Sequence, residues 1–271
     1  MLIKLMKHEF RATGRVMGPL YLVLLVTAIG ANLSTRGLLE TNSSFLNMLG
    51  GLLVVAFVFA IMGVCLMSLV LMVQRFYKNL LGDEGYVMFT LPASVHQQVW
   101  SKLIVSAVWF AATLLAVCAA GTIMVYEVGF MKAFFHGLGE VFRQLTAYYA
   151  LNGTALVLEF LLLCFVTCCA MCLQFYAAMA VGHSFPNHKG LMSVVFFFVF
   201  QFAVQLMGSL LIVFLDESPF HRWLLQLTDW QLSGMAATHL LMIVLIFGVV
   251  LYGAIFYVVT TFFLKRHLNL E

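Results

Sequence analysis

Six long apolar runs constrain the fold of this chain more than any other feature. A helix that crosses the hydrocarbon core of a bilayer needs about 20 predominantly apolar residues. The runs cover roughly residues 17–35, 46–74, 101–126, 148–181, 190–215 and 238–264. Of the 271 residues, 63% are hydrophobic and only 9% are charged, whereas a soluble domain has about 25% charged residues. The sequence therefore predicts an all-α membrane protein: one transmembrane domain, 1–271, with six transmembrane helices.

Lysine and arginine are distributed unevenly between the two sides of this topology. Loops on the cytoplasmic side of a membrane carry an excess of these residues. With six spans, ten of the fourteen basic residues fall on the side that carries both termini. The other side carries Arg36, Lys132, Arg143 and Arg222. We therefore predict that both termini are cytoplasmic, and we take the formal net charge of +3 as no indication of nucleic-acid binding.

The first sixteen residues have the pattern of an amphipathic helix. Basic side chains share one helical face, and apolar side chains lie opposite. The basic face carries Lys4, Lys7, His8, Arg11 and Arg15, and the apolar face carries Ile3, Met6 and Phe10. Such a helix lies along a membrane surface and is attracted by anionic lipids. We predict a surface helix over 1–16; the alternative is that this segment extends the first span.

Two connections on the predicted outer side are long enough to carry structure of their own. Segment 127–147 mixes charges with phenylalanines, and segment 216–236 contains Trp223 and Trp230. Tryptophan is enriched at the level of the lipid headgroups. We predict that both external segments form short helices on the outer surface.

No motif for catalysis or nucleotide binding is found. The phosphate-binding pattern GxxxxGK[ST] does not occur, so we do not expect this chain to bind ATP in that manner. Cys164, Cys168 and Cys172 repeat at every helical turn, which favours helix packing over a metal site because thiolates are costly within a bilayer. We predict a chain that is not an enzyme and that holds neither a metal nor a cofactor.

A few polar residues lie within the predicted spans. Glu159 is the only acid there, and it has no evident partner in the sequence. Tyr148 and Asn152 share its helical face, and Gln201, Gln205 and Ser209 form a stripe on the next span. An intramembrane carboxylate is a candidate functional group. The hypothesis is that these residues line a substrate path, and the alternative is that they hydrogen-bond neighbouring helices.

The connection 75–94, RFYKNLLGDEGYVMFTLPAS, differs from the rest of the chain. Its charges, Arg75, Lys78, Asp83 and Glu84, alternate with aromatic and leucine side chains. A plain connection needs only a few polar turn residues. Aromatic anchors with flanking charges are typical of a segment that binds a groove on another protein. The alternative is a helix that lies on lipid.

This run resembles the cytoplasmic loop of bacterial ABC-2-type permeases, the membrane subunits of ATP-binding cassette exporters. Residues 2–21 and 262–271 are also similar to that family. The resemblance implies an N-terminal elbow helix, six spans, and a loop 75–94 that docks on a separate ATPase subunit, which holds ATP and Mg. By position, the coupling residues would be Tyr77, Lys78, Asn79, Asp83, Glu84, Gly85 and Tyr86. Loop 183–190 would be a smaller contact, and a second permease subunit would complete the transporter in the bacterial plasma membrane.

The expected function is thus that of an exporter permease. Its substrate would be hydrophobic or amphipathic, such as a peptide antibiotic, a lipid or a drug, because the spans are rich in Phe and Met. One alternative is a self-contained secondary transporter that uses Glu159. Another is a noncatalytic membrane sensor or scaffold that detects ligands through the external segments. An intramembrane enzyme fits least, because no paired catalytic groups lie in the spans.

Overall fold

Helices account for nearly all of the structure. The computed structural model describes residues 2–38, 43–82, 85–86, 90, 93–126, 132–133, 136–137, 139–141, 143–144, 153–185, 187–217 and 234–266. These ranges contain no strand. The predicted all-α class is confirmed.

Six long helices follow one another along the described chain. They are α1 (Leu2–Leu33), α2 (Ser44–Phe76), α3 (Val95–Met124), α4 (Gly153–Gly182), α5 (Lys189–Glu217) and α6 (Gly234–Arg266). Each contains a segment long and apolar enough to cross a membrane, as predicted. Lipid offers no hydrogen-bond partner for the backbone, so apolar runs of this length satisfy their amides within a helix. Wider π-helical turns extend α1 over Ser34–Leu38 and α2 over Tyr77–Leu81.

Helix α1 joins the predicted surface helix to the first span without a break. It runs from Leu2 to Leu33 and continues through Pro19. This geometry agrees with the alternative, in which residues 2–16 extend the span. At about 1.5 Å per residue, a helix of 32 residues is longer than the ~30 Å hydrocarbon core, so part of α1 projects beyond it. The predicted surface location of 1–16 stays a prediction.

The chain divides into two compact units, and the first combines Met1–Phe76 with His96–Leu138. Its apolar core packs Leu24 and three alanines of α1 and α3 against larger residues of α2. The buried members are Leu24, Ala28, Ala31, Phe57, Val64 and Ala120. Alanines let the helix backbones approach closely, which is how helices associate in lipid. Side-chain hydrogen bonds add links between α1 and α3, including Asn32 Nδ2 to the Met124 carbonyl at 2.8 Å.

The second unit combines Tyr77–Val95 with Gly139–Glu271. In it, α4 packs against both α5 and α6. Gly253 of α6 faces Ala170 of α4, where an added Cβ would lie 3.5 Å from the alanine Cβ. Aromatic rings fill much of the remaining space: Phe175 and Phe197 stack with centroids 4.5 Å apart. This unit contains loop 183–190, loop 75–94 from Tyr77 onward, and Glu159, the acid that the sequence places within a span.

Most of the predicted external segments lie outside the described residues. Within 127–147 the structure describes short helical pieces, where Arg143 donates to Glu140 at 2.8 Å. Within 216–236 it describes only the ends of α5 and α6. The prediction of surface helices there stays a prediction.

The contact where α4 ends gives a test of the fold. A Cβ atom added at Gly182 would overlap the backbone N and the Oγ of Ser193, and would lie 2.6 Å from its Cα. We expect Gly182→Ala to lower the free energy of unfolding by about 1–3 kcal/mol, the usual cost of overpacking. Thermal unfolding in detergent measures the loss.

Gly248 of α6 provides the matched control, because a Cβ added there meets nothing within 4 Å. Gly248→Ala should be neutral or slightly stabilising, since Ala is the better helix former. Equal melting temperatures for the two variants would contradict the close contact between Gly182 and Ser193.

Candidate functional site

The predicted coupling loop begins as a continuation of α2. The π-helical turn Tyr77–Leu81 closes with a hydrogen bond from the Gly82 amide to the Tyr77 carbonyl at 2.9 Å. A second bond, from the Gly85 amide to the Gly82 carbonyl at 2.8 Å, continues the turn. A Cβ at Gly82 would lie 3.2 Å from the Lys78 carbonyl oxygen, so the absent side chain permits this tight exit from the helix.

Exposure divides the predicted coupling residues into two groups. Asn79 and Gly85 are buried, together with Leu80 and Leu81. In contrast, Tyr77 and Tyr86 are 46% and 53% exposed, and Lys78 is also exposed. Asp83 and Glu84 lie outside the described residues. The loop thus has a buried face and an exposed face with two aromatic side chains and a cation.

The two predicted loops meet within the second unit. The Tyr77 ring contacts the His183 ring edge-on, with centroids 5.2 Å apart. His183 is the first residue after α4, and it is almost fully buried. The sequence pattern and the resemblance indicated both segments, 75–94 and 183–190, as contacts for a partner, but neither indicated that the two segments touch each other.

His183 is held by the ends of two helices. Its Nδ1 lies 2.8 Å from the Met179 carbonyl of α4 and 3.4 Å from Ser193 Oγ of α5. Because a carbonyl only accepts, Nδ1 carries the proton and donates it. Burial lowers the pKa of the imidazole below its usual value of 6.5; the bond to Met179 opposes this shift, and Lys189 adds to it. The neutral ring is therefore the form that fits the folded loop.

Glu159 has a partner that the sequence did not reveal. Its two carboxylate oxygens lie 2.9 and 2.8 Å from Nδ1 of His239 in α6. The expectation of an isolated glutamate is therefore corrected: α4 and α6 place an acid and an imidazole together. The two residues are 80 positions apart, so no local spacing indicates the pair. Tyr148 and Asn152 lie outside the described residues.

The polar stripe of α5 is only partly connected. Gln174 of α4 donates to Gln201 at 3.0 Å, and the Tyr252 hydroxyl of α6 donates to Gln174 at 2.7 Å. Gln205 and Ser209 are exposed. At Gln201 this arrangement matches the structural alternative, in which polar side chains join helices. The substrate path through Glu159, Gln201, Gln205 and Ser209 stays a prediction.

A buried ion pair in the first unit is absent from the sequence-based predictions. Lys102 Nζ of α3 lies 2.7 Å from Glu9 Oε1 of α1, and both side chains are almost fully buried. The pair fixes the N-terminal part of α1 against α3. The sequence pattern does not indicate a buried role for Glu9, because this residue lies among the basic residues of the N-terminal segment, before the first apolar run.

No metal centre is found in the part of the chain that the structure describes. No group of three or more His, Cys, Asp or Glu side chains there could hold an ion. All six cysteines are free.

The comparisons with known proteins return no match to a family model, a curated protein or a solved structure. The resemblance to ABC-2-type permeases therefore rests on the sequence features described above.

The buried imidazole predicts a pH dependence of stability. The folded chain favours the neutral form of His183. The stability that this residue contributes is therefore fully present above pH 6.5, the usual pKa of an imidazole. This contribution to stability is lost as the pH falls from 6.5 towards the lower pKa of His183 in the folded chain, because the unfolded chain binds more protons in that range. We expect the melting-temperature difference between wild type and His183→Gln to shrink between about pH 7.5 and about pH 5.5.

His188 provides the control, because it is exposed and has a positive φ of 54°, which asparagine tolerates. The difference between wild type and His188→Asn should not change with pH in the same way. A pH-independent effect of His183→Gln would contradict the neutral, buried imidazole.

Proposed function

We propose that this chain is the permease subunit of an ATP-driven exporter and that it binds a separate ATPase through its two adjacent loops. One observation carries the proposal: the turn Tyr77–Leu81, which is exposed at Tyr77 and Lys78 and buried at Asn79, Leu80 and Leu81, packs through Tyr77 on His183, the residue that follows α4. A partner that moves this turn thus acts directly on the end of a transmembrane helix.

The loop has the physical properties of a docking element. Leu80 and Leu81 are buried and anchor it, whereas Tyr77, Lys78 and Tyr86 remain exposed. Tyrosine is enriched among the residues that dominate the binding energy of protein interfaces, and charges at the rim set orientation and association rate. A loop that only connected two spans would need neither the anchor nor the exposed aromatic pair.

Charge and motif content support a partner that supplies the energy. The basic residues cluster on the side where these loops would lie, which favours a cytoplasmic location. The chain lacks the usual phosphate-binding loop, so ATP and Mg would be bound by the partner. A second permease subunit, identical or related, would complete the assembly in a bacterial plasma membrane.

In the proposed mechanism, ATP draws two partner ATPases together and displaces the loops that they hold. The contact between Tyr77 and His183 passes this movement to α4. The bond between His183 and Ser193 at 3.4 Å extends it to α5. Rearrangement of these helices would release a hydrophobic or amphipathic substrate outward.

The docking role of the loop leads to a prediction about the ATPase. We expect Tyr86→Ala to weaken ATPase binding by about 30-fold, the effect of removing an interface residue worth about 2 kcal/mol. We expect the double substitution Asp83→Lys and Glu84→Lys to abolish stimulated ATP hydrolysis. Co-purification from native membranes in mild detergent, with the ATPase identified by mass spectrometry, gives the first result, and ATP hydrolysis by the reconstituted complex gives the second.

Tyr126 offers a matched control, because it is also 53% exposed but lies just beyond the other end of α3. Tyr126→Ala should leave both ATPase binding and ATP hydrolysis unchanged. If no ATPase is recovered with the wild-type chain in several detergents, or if Tyr86→Ala and Tyr126→Ala behave alike, the proposed coupling is wrong.

The pair of Glu159 and His239 favours a second candidate function, proton-coupled transport without an ATPase. A carboxylate and an imidazole in contact within predicted spans can share and release a proton. In the first proposal the same pair only joins α4 to α6. The two functions therefore differ in what the purified chain does alone.

Proton flux into liposomes separates the two candidates. The exporter proposal predicts that the purified chain without an ATPase passes no protons under an imposed pH gradient, as measured with a fluorescent pH dye in the lumen. The second candidate predicts a flux that Glu159→Gln abolishes and that Glu140→Gln, an acid in an external segment, leaves unchanged. A flux with these properties would replace the first proposal by the second.

A further inference from the structure

Two glutamine side chains lie exposed near the middle of α5. This helix packs mainly against α4, and it is the least buried of the six spans. Most of its exposed side chains are apolar and suit lipid. Gln201 and Gln205 are also exposed, although each lies 12 residues from the nearer end of the helix. That separation is about 18 Å at 1.5 Å per residue, so both amides lie inside a hydrocarbon core about 30 Å thick.

The hydrogen bonds within the chain do not satisfy these amides. Gln201 Oε1 accepts from Gln174 at 3.0 Å, and Gln174 accepts from Tyr252 at 2.7 Å. The Gln201 amide nitrogen ends this series and donates to no residue that the structure describes. Gln205 makes no hydrogen bond with any of those residues. An amide without a partner is costly in an apolar medium, so the two side chains indicate a polar partner at this depth.

The spacing along α5 places both amides on one continuous face. Exposed residues recur on it at alternating steps of three and four, the repeat of two helices packed side by side in a left-handed pair. The series is Leu191, Val194, Phe198, Gln201, Gln205 and Gly208. A Cβ added at Gly208 would meet nothing within 4 Å, so another helix can approach the backbone closely at that point.

We propose that this face of α5 packs against the same face of α5 in a second copy of the chain, about a two-fold axis along the membrane normal. An amide both donates and accepts hydrogen bonds, so it is complementary to itself. Gln205 of one copy would donate to the Gln205 oxygen of the other, and the reverse bond would complete a symmetric pair. The amide nitrogen of Gln201 would donate across the same contact.

A second copy fits this face better than lipid or substrate. Lipid offers no hydrogen-bonding group at this depth. A substrate would need no helical repeat, whereas a second helix matches one that continues over about five turns. The inference deepens the proposed function, on which the identification of the partner as the second permease subunit rests. The contact itself is argued from α5 alone.

Disulfide cross-linking in membranes tests which face of α5 meets its copy. Val194 lies on the proposed contact face, and Val199, which has similar exposure, lies about 140° away around the helix. A disulfide requires Cα atoms within about 7 Å, so we expect Val194→Cys to give about ten times more cross-linked dimer than Val199→Cys. The wild type measures the background from the six native cysteines, none of which is in α5.

Energy transfer between labelled copies in liposomes, measured at increasing lipid dilution, tests the amides. We expect Gln205→Leu to weaken dimerisation by about tenfold, the scale of one interhelical hydrogen bond in model transmembrane peptides. Gly208→Trp, which would hold the two helices apart, should also weaken it. Gly248→Trp is the matched control, because Gly248 is an equally open glycine on α6, and it should leave dimerisation unchanged.

Equal cross-linking at the two valines, or dimerisation that Gln205→Leu leaves unchanged, would overturn the proposal. Cross-linking of Val194→Cys to a protein of different mass would also overturn it, because another occupant would then cover the face. If Gly208→Trp is not recovered folded, Gln205→Leu decides, since it removes no described hydrogen bond from the single chain. The liposomes contain no ATPase, so a dimer that recovers no ATPase from native membranes would count against the exporter function and not against this contact.

Discussion

The absence of hydrogen-bond partners in hydrocarbon governs this structure. Because lipid cannot satisfy backbone amides, each apolar run must form a helix, and all six do. Lipid also removes the hydrophobic driving force between helices, so close packing and polar contacts must hold them together. The few polar side chains within the helices therefore matter more than their number suggests. Several are joined in pairs or chains: Glu9 with Lys102, Glu159 with His239, and Gln174 with both Gln201 and Tyr252.

The same constraint explains what could be predicted from the sequence. Length and apolar composition alone identify the spans, so their number and approximate positions follow directly. The contacts between helices do not follow, because a span surrounded by lipid is apolar on all sides and its pattern does not mark the face that packs. Lys102 and Glu9 are 93 positions apart, and no periodicity relates them. The sequence also left open whether residues 1–16 form a separate surface helix or extend the first span, and α1 runs through both segments, since Pro19 is tolerated within it.

The loop 75–94 shows how far composition can single out a distinctive segment. Its mixture of charges, aromatics and glycines indicated a special role, and the structure describes a turn that is buried on one side and exposed on the other. The residues predicted as one set lie in two different environments. Asn79 is buried and belongs to the support, whereas Tyr77 and Tyr86 belong to the free surface. Sequence alone could not predict which of them are buried, because the π-helical turn shifts every later side chain relative to an α-helix.

The position of His183 links these observations to mechanism. In the proposed mechanism, the coupling contact must be firm enough to transmit a displacement and weak enough to rearrange in each transport cycle. The edge-on packing of Tyr77 on His183 has this intermediate strength, since an aromatic pair contributes about 0.5–1.5 kcal/mol beyond its buried area. His183 itself is fixed more firmly, by a hydrogen bond of 2.8 Å to Met179 and by burial against Ser193. A displacement of the loop would therefore first act on the ring contact and then move α4 as a rigid body, rather than unwind its last turn.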